Sequence, residues 1–158
     1  MKTIQQFLQE EHCFSCNGVT IRELRQEDAH VFGRMFKGGM KEDAARVVIE
    51  TLQYKRKKGT FICLAIMDEM DVFSGVIELY DLKDSSFEIG YRMCFDRQGK
   101  KICTRAVGGV AAYLKQYGFT ILRARVHQDH EASRHILLNN GFEITEYRDE
   151  YMFLRLVL

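Results

Sequence analysis

Gln98-Gly99-Lys100-Lys101-Ile102-Cys103-Thr104 falls between a segment of strand-like alternation and a long segment of helical periodicity. A run placed like this can hold phosphate. About four N–H groups at a helix start have no partner inside the helix, and the aligned peptide dipoles add partial positive charge there. An anion satisfies both, and a glycine such as Gly99 lets it approach the main chain closely. Further on, His127-Gln128-Asp129-His130-Glu131-Ala132-Ser133-Arg134 opens a second helix that ends at Asn140-Gly141-Phe142. Two such helices, each following a strand, imply an enzyme that grips a phosphorylated cofactor.

Other reactive side chains read as structural. His12, Cys13 and Cys16 resemble half of a zinc site. Structural zinc takes about four ligands, and no second Cys/His pair follows at matching spacing. Two small thiols in a connecting segment are therefore the preferred reading, and no metal is expected; a zinc-stabilised interaction module is the weaker alternative. Cys103 stands at a helix start, where thiols become more acidic. We read it as a packed substitute for alanine. Lys55-Arg56-Lys57-Lys58 falls at a helix end, where cations are favourable. That reading outranks nucleic-acid or membrane binding.

The elements that position these groups follow from periodicity. A short helix is expected over Thr3 to Glu11, a strand over Val19 to Leu24 and helices over Asp28 to Phe36 and Lys41 to Lys57. Gly59 stops the third of these helices. Strands follow over Thr60 to Met67, Val72 to Leu82 and Ser85 to Phe95. In the last, Phe87, Ile89, Tyr91, Met93 and Phe95 share one face, and Glu88, Gly90, Arg92 and Cys94 the other. The helix after Gly99 carries Ile102, Ala106, Val110, Leu114 and Tyr117 at helical spacing. Phe119 to Val126 is the next strand. Asp129 is the expected N-cap of the helix His130 to Asn139. Phe142 to Tyr147 and Glu150 to Leu158 close the chain as an antiparallel pair. This order predicts an α/β fold, a mixed and mostly antiparallel central sheet flanked by helices. Residues 1–158 form a single domain, with 1–17 an extension packed on it.

A chain of 158 residues, 46% hydrophobic and 28% charged, can bury one substantial core. Net charge is +1, far from the strongly basic balance of a dedicated nucleic-acid binder. There is no apolar run of about 18 residues to span a membrane and no continuous apolar stretch near the start to act as a signal peptide. Five cysteines make an odd count, and three of them fall inside predicted elements. Reduced thiols and a cytoplasmic location are expected. The apolar strand Tyr151 to Leu158 reads first as sheet core, leaving monomer and homodimer both open.

Phe87-Glu88-Ile89-Gly90-Tyr91-Arg92-Met93, then Gln98 to Ala106, then Arg123 to His127 with Asp129 to Phe142, carry a resemblance. Together they resemble the GNAT superfamily of acetyl-CoA-dependent N-acetyltransferases, in particular its branch acting on ribosomal-protein N-termini. The resemblance implies acetyl-CoA as cofactor. It assigns main-chain groups of Arg92, Met93 and Cys94 to the pantetheine arm. It assigns Gln98, Gly99, Lys100, Lys101, Ile102, Cys103 and Thr104 to the pyrophosphate loop, with His130 and Ser133 beside them. Lys101 replaces a family glycine, His130 a frequent asparagine, and Leu137 the tyrosine that protonates the departing thiolate in many members.

The implied reaction is direct attack by an amine on the thioester, and an ammonium must first lose its proton. Glu88 is the first candidate base and Glu78, on the neighbouring strand, the second. A main-chain N–H near Met93 or Cys94 is the expected oxyanion donor. Ser133, His130, Tyr91 and water remain alternatives for the acid. The acceptor is a protein N-terminus or a small-molecule amine. The alternative is a catalytically silent domain of the same shape that binds CoA or a regulatory partner.

Overall fold

The computed structural model describes residues 2–158. The chain runs α1 (Ile4–Gln9), β1 (Cys13–Cys16), β2 (Val19–Glu23), α2 (Ala29–Arg34), α3 (Glu42–Lys58), β3 (Phe61–Met67), β4 (Phe73–Lys83), β5 (Ser86–Met93), α4 (Ile102–Lys115), β6 (Ile121–His127), α5 (Glu131–Asn139), β7 (Glu143–Arg148) and β8 (Tyr151–Val157). The strands form one sheet in the order β1-β2-β3-β4-β5-β6-β8-β7. All neighbours are antiparallel except β5 and β6. The predicted mixed, mostly antiparallel α/β sheet is the one observed.

Each sheet face buries its own cluster, which is why β3 reads as a near-continuous apolar run rather than an alternation. Ile21, Ile62, Leu64, Ile77, Leu79 and Phe87 form a core with Ala106, Val110 and Leu114 of α4. Cys63, Ala65, Met67 and Val76 lie on the other face, under Phe32 of α2 and Ala45 and Ile49 of α3. Gly59 takes a left-handed conformation (φ 72°) and ends α3 by donating its N–H to the carbonyls of Arg56 and Lys55.

One strand went unread in the sequence. Asn17 and Gly18 both have positive φ (50° and 81°) and turn β1 directly into β2, with Cys16 paired to Val19. An Asn-Gly pair is the favoured two-residue hairpin turn, and it was the available signal. Phe7 of α1 is fully buried in the main core. Two further expectations are corrected. Asp129 does not cap α5; His130 does, accepting the Ser133 N–H on Nδ1 at 3.1 Å. Phe95 is not a strand residue but opens a short 3-10 turn, Phe95–Arg97, and is 88% exposed. The strand before it ends at Met93, two residues early.

The hairpin presses on α4 at a point that accepts only glycine. A Cβ at Gly109 would lie 1.8 Å from Cys16 Sγ. We expect Gly109→Ala to lower stability by about 1–3 kcal/mol, the usual cost of an overpacked core. The better helix propensity of alanine returns part of that, roughly 1 kcal/mol. Thermal unfolding of Gly109→Ala and of the pair Gly109→Ala/Cys16→Ala checks it, the second substitution recovering part of the loss.

Candidate active site

The sheet opens where its one parallel pair comes apart. β5 and β6 are in register only at Ser86–Ile121, Phe87–Leu122 and Glu88–Arg123. Beyond Glu88 the two strands diverge, and β6 continues its pairing with β8 alone. The far half of β5 therefore has one main-chain edge without a strand beside it. The Cys94 N–H donates to the Ser74 carbonyl at 2.8 Å. In an antiparallel ladder the bonding direction alternates residue by residue. Arg92, paired with Val76, thus also turns its main chain to β4, whereas Tyr91 and Met93 turn theirs to the gap. Of the three residues expected to serve the pantetheine arm, only Met93 offers its main chain there; Tyr91 joins it, and Arg92 and Cys94 do not.

Two cavities meet in the gap. The outer one, about 420 Å³, is lined by Met93, Gln98, Gly99, Lys101, Ile102, Cys103 and Thr104, with Arg97, Ala132 and Ile136. The inner one, about 230 Å³, is lined by Ile89, Gly90, Ala124, Arg125, Val126, His127 and Leu137. Tyr91, His130 and Ser133 line both and form the waist between them. Of the expected cofactor residues, Lys100, Arg92 and Cys94 line neither.

The outer cavity suits an anion. The first intrahelical bond of α4 runs from the Arg105 N–H to the Lys101 carbonyl at 3.1 Å. The amides of Ile102, Cys103 and Thr104 consequently have no acceptor within the helix. Gly99 has φ +77° and open space where a Cβ would stand. Lys101 caps the helix at φ 60° and ψ 13°, the left-handed conformation that glycine adopts without penalty. The backbone shape is thus one that suits glycine, although the residue is lysine. Cys103 is buried, and desolvation pushes its thiol up to about 12, so it stays protonated and packs as a small apolar group.

At the waist, the Tyr91 hydroxyl lies 2.7 Å from Ser133 Oγ and 3.2 Å from the Ser133 carbonyl oxygen. Burial raises the Tyr91 pKa, so this hydroxyl remains a neutral donor. Leu137 is fully buried below it. His130 spends Nδ1 on the helix cap, which leaves its ring hydrogen on Nε2.

The two candidate carboxylates differ. Glu88 accepts a hydrogen bond from the Tyr80 hydroxyl at 2.9 Å and faces Arg123 at 3.7 Å and Arg125 at 3.8 Å. Glu78 has no side-chain hydrogen bond or ion pair among the described residues. It is paired across the ladder with Gly90, a residue of the inner cavity. Burial raises its pKa, opposed by the charge of Arg92. Away from the gap, His12 uses Nδ1 on the Tyr113 hydroxyl and Nε2 on the Phe7 carbonyl, both at 2.8 Å, so its ring has no free lone pair for a metal. No three His, Cys, Asp or Glu gather as a metal site among the described residues. Among the described residues no helix is long and apolar enough to cross a membrane.

A sheet parted beside a helix start with unpaired amides, with a carboxylate at the parting, suits an acyltransferase drawing on a nucleotide thioester. The family model described as the acetyltransferase (GNAT) domain matches residues 19–143, and the chain belongs to that family. It is an acetyl-CoA-dependent acyltransferase. No sequence among curated proteins matches the chain. Solved structures share the fold at low identity. RimJ of Mycobacterium smegmatis, in complex with CoA-disulfide, is 16% identical, with 93% of this chain and 86% of that chain covered and a TM-score of 0.79. The ribosomal-protein-S5-alanine acetyltransferase of Vibrio fischeri is 15% identical, with 93% and 97% covered and a TM-score of 0.77. The microcin C7 self-immunity acetyltransferase MccE, in complex with acetyl-CoA and AMP, is 15% identical, with 90% and 93% covered and a TM-score of 0.78.

Proposed function

We propose that the chain acetylates a primary amine by direct transfer, with Glu78 as the base. Acetyl-CoA, when bound, supplies the activated acetyl group as a thioester. The amides of Ile102, Cys103 and Thr104, with Lys101 beside them, hold its diphosphate, and the free edge of Tyr91 and Met93 guides the pantetheine arm through the gap. The observation that carries the reading is the pairing of Glu78 with Gly90. The Gly90 main chain lines the inner cavity, and Glu78, a half-buried carboxylate without a partner, stands across the ladder from it with the Tyr80 ring beside them.

A desolvated carboxylate is a stronger base than a solvated one, which is what taking a proton from an ammonium requires. Glu88, held by Tyr80, Arg123 and Arg125, serves better as an anchor that fixes the arginines at the strand divergence. The N–H groups of Met93 and Tyr91 are the main-chain donors available where negative charge develops on the transferring carbonyl, since that of Cys94 is spent on Ser74. With the Tyr91 hydroxyl donating to Ser133 Oγ rather than to the carbonyl, the Ser133 hydroxyl hydrogen is free to bond the departing sulfur. That bond answers the loss of the family's tyrosine at Leu137.

A protein N-terminus and a small amine both fit the open acceptor side. Five free cysteines accord with a cytoplasmic setting. The test is release of CoA thiol from acetyl-CoA over a panel of peptides and small amines, with a thermal shift by acetyl-CoA as the binding control. A stabilising shift accompanied by amine-dependent thiol release is expected; a shift with no release for any amine would turn the assignment towards a silent CoA-binding domain.

A further inference from the structure

We propose that the acceptor carries a carboxylate close to its reacting amine, and that the guanidinium of Arg92 holds that carboxylate while Glu78 receives the amine. The proposal rests on the acetyl-transfer reading above and goes beyond it by naming the acceptor's chemistry.

Arg92 and Glu78 share the sheet face that lies under α2 and α3. In the β4–β5 register Val76 stands opposite Arg92 and Glu78 opposite Gly90. The two are therefore diagonal neighbours on one face, a spacing of about 7–8 Å that long side chains bridge. Their charges act on each other, since Arg92 opposes the upward push that burial gives Glu78. Gly90, between them in the register, contributes no side chain; its main chain lines the inner cavity, and the Tyr80 ring lies over it on this face, 3.5 Å from where a Cβ would stand.

Other arginines around the gap are committed. Arg123 bonds Asp81 and Ser86, Arg125 faces Glu88, and Arg97 pairs with Asp68 at 2.7 Å. Arg92 is exposed and makes no side-chain hydrogen bond or ion pair among the described residues. It is nonetheless oriented, because its guanidinium lies 4.8 Å from the centre of the Phe36 ring, in the segment joining α2 to α3. Stacking holds the plane of a guanidinium and leaves its N–H edge free for a planar anion. At Cys94, two residues past Arg92, the negative charge of Asp96 acts more strongly than the positive charge of Arg97 or of Arg34.

This field sorts amines. An ammonium with no anionic group meets Glu78 but also the unpaired charge of Arg92, which repels it. A molecule bearing ammonium and carboxylate a few ångströms apart matches both. Two sources present that chemistry: a free amino acid through its α-carboxylate, and a peptide N-terminus whose first residue is acidic.

The test is kcat/KM for thiol release with matched acceptors: leucine against leucine amide, a Glu-Ala-Ala amide against a Gln-Ala-Ala amide, and spermidine. In at least one matched pair the acid member should be favoured about tenfold or more, the scale of a charge-assisted contact. The pair that shows it identifies the source. Arg92→Met, which keeps the aliphatic contact with Phe36, should raise KM for the acid member about tenfold while leaving its amide counterpart and acetyl-CoA binding within about threefold. Arg92→Lys, charged but without the planar fork, should fall between. Equal rates for acid and amide, preference for spermidine, or an Arg92→Met effect that is the same on both members overturns the proposal alone. Absence of turnover with every acceptor overturns it together with the acetyl-transfer reading.

Discussion

Glu78→Gln is expected to cut turnover by about a hundredfold or more, the range over which a positioned base contributes. Acetyl-CoA affinity should be unchanged, because Glu78 lies on the sheet face away from the outer cavity. Burial raises the Glu78 pKa, so the rising limb of the pH–rate profile should come at higher pH than an ordinary carboxylate gives, and this limb should disappear in the variant. The same shift has a consequence for stability. A carboxyl whose native pKa is raised binds its proton more tightly folded than unfolded. Its favourable contribution is complete below the unfolded pKa and is lost as pH climbs through the native value. At neutral pH the wild type thus holds a charge in a partly dehydrated place. Glutamine removes that cost, so the variant should unfold at an equal or higher temperature than the wild type at pH 7 and lose this advantage in mild acid. Glu88→Gln provides the contrast: it breaks the contacts to Tyr80, Arg123 and Arg125 and should lower the unfolding temperature. A Glu78→Gln enzyme with full activity would end the assignment.

Lys101 yields the second large effect. A non-glycine residue in the left-handed region costs about 1–2 kcal/mol. Lys101→Gly relieves it and gives back roughly 0.5–1 kcal/mol through the greater freedom of glycine in the unfolded chain. Its unfolding temperature should be equal or slightly higher, and its affinity for acetyl-CoA within about fivefold of wild type, a change below roughly 1 kcal/mol. Lys101→Glu keeps the strain and reverses the charge beside the diphosphate site, and should weaken binding by about tenfold to a hundredfold, or ~1.4–2.7 kcal/mol. Calorimetry at low and moderate salt measures both, the loss in Lys101→Glu shrinking as salt screens the charge. Equal affinities for the two variants would mean that the ammonium points into solvent and takes no part.

The local features were legible in the sequence. The loop from Gln98 to Thr104, the helix behind it and the α5 segment depend on residues near in sequence, and their periodicity and glycines announce them. What escaped depended on phase or on partners far along the chain. Asp129 and His130 both can cap a helix, and a single residue of phase decided for His130. Arg92, Met93 and Cys94 are consecutive, yet the direction of their main-chain groups follows from the register against β4. The choice between Glu78 and Glu88 rests on where β5 parts from β6 and on Arg123 and Arg125, contributed from more than thirty positions away. The β1–β2 turn was the exception, because its Asn-Gly signal was local and simply went unread.

The placement of that turn bears on how the protein can be handled. Arg105, in the first turn of α4, donates to the Asn17 carbonyl at 3.0 Å and to Glu69 at 2.7 Å, and Cys16 fills the hollow above Gly109. Residues 2–17 therefore splint the very rod whose tip we assign to the coenzyme. Trimming them to obtain a minimal catalytic unit would remove a brace rather than a loose tail.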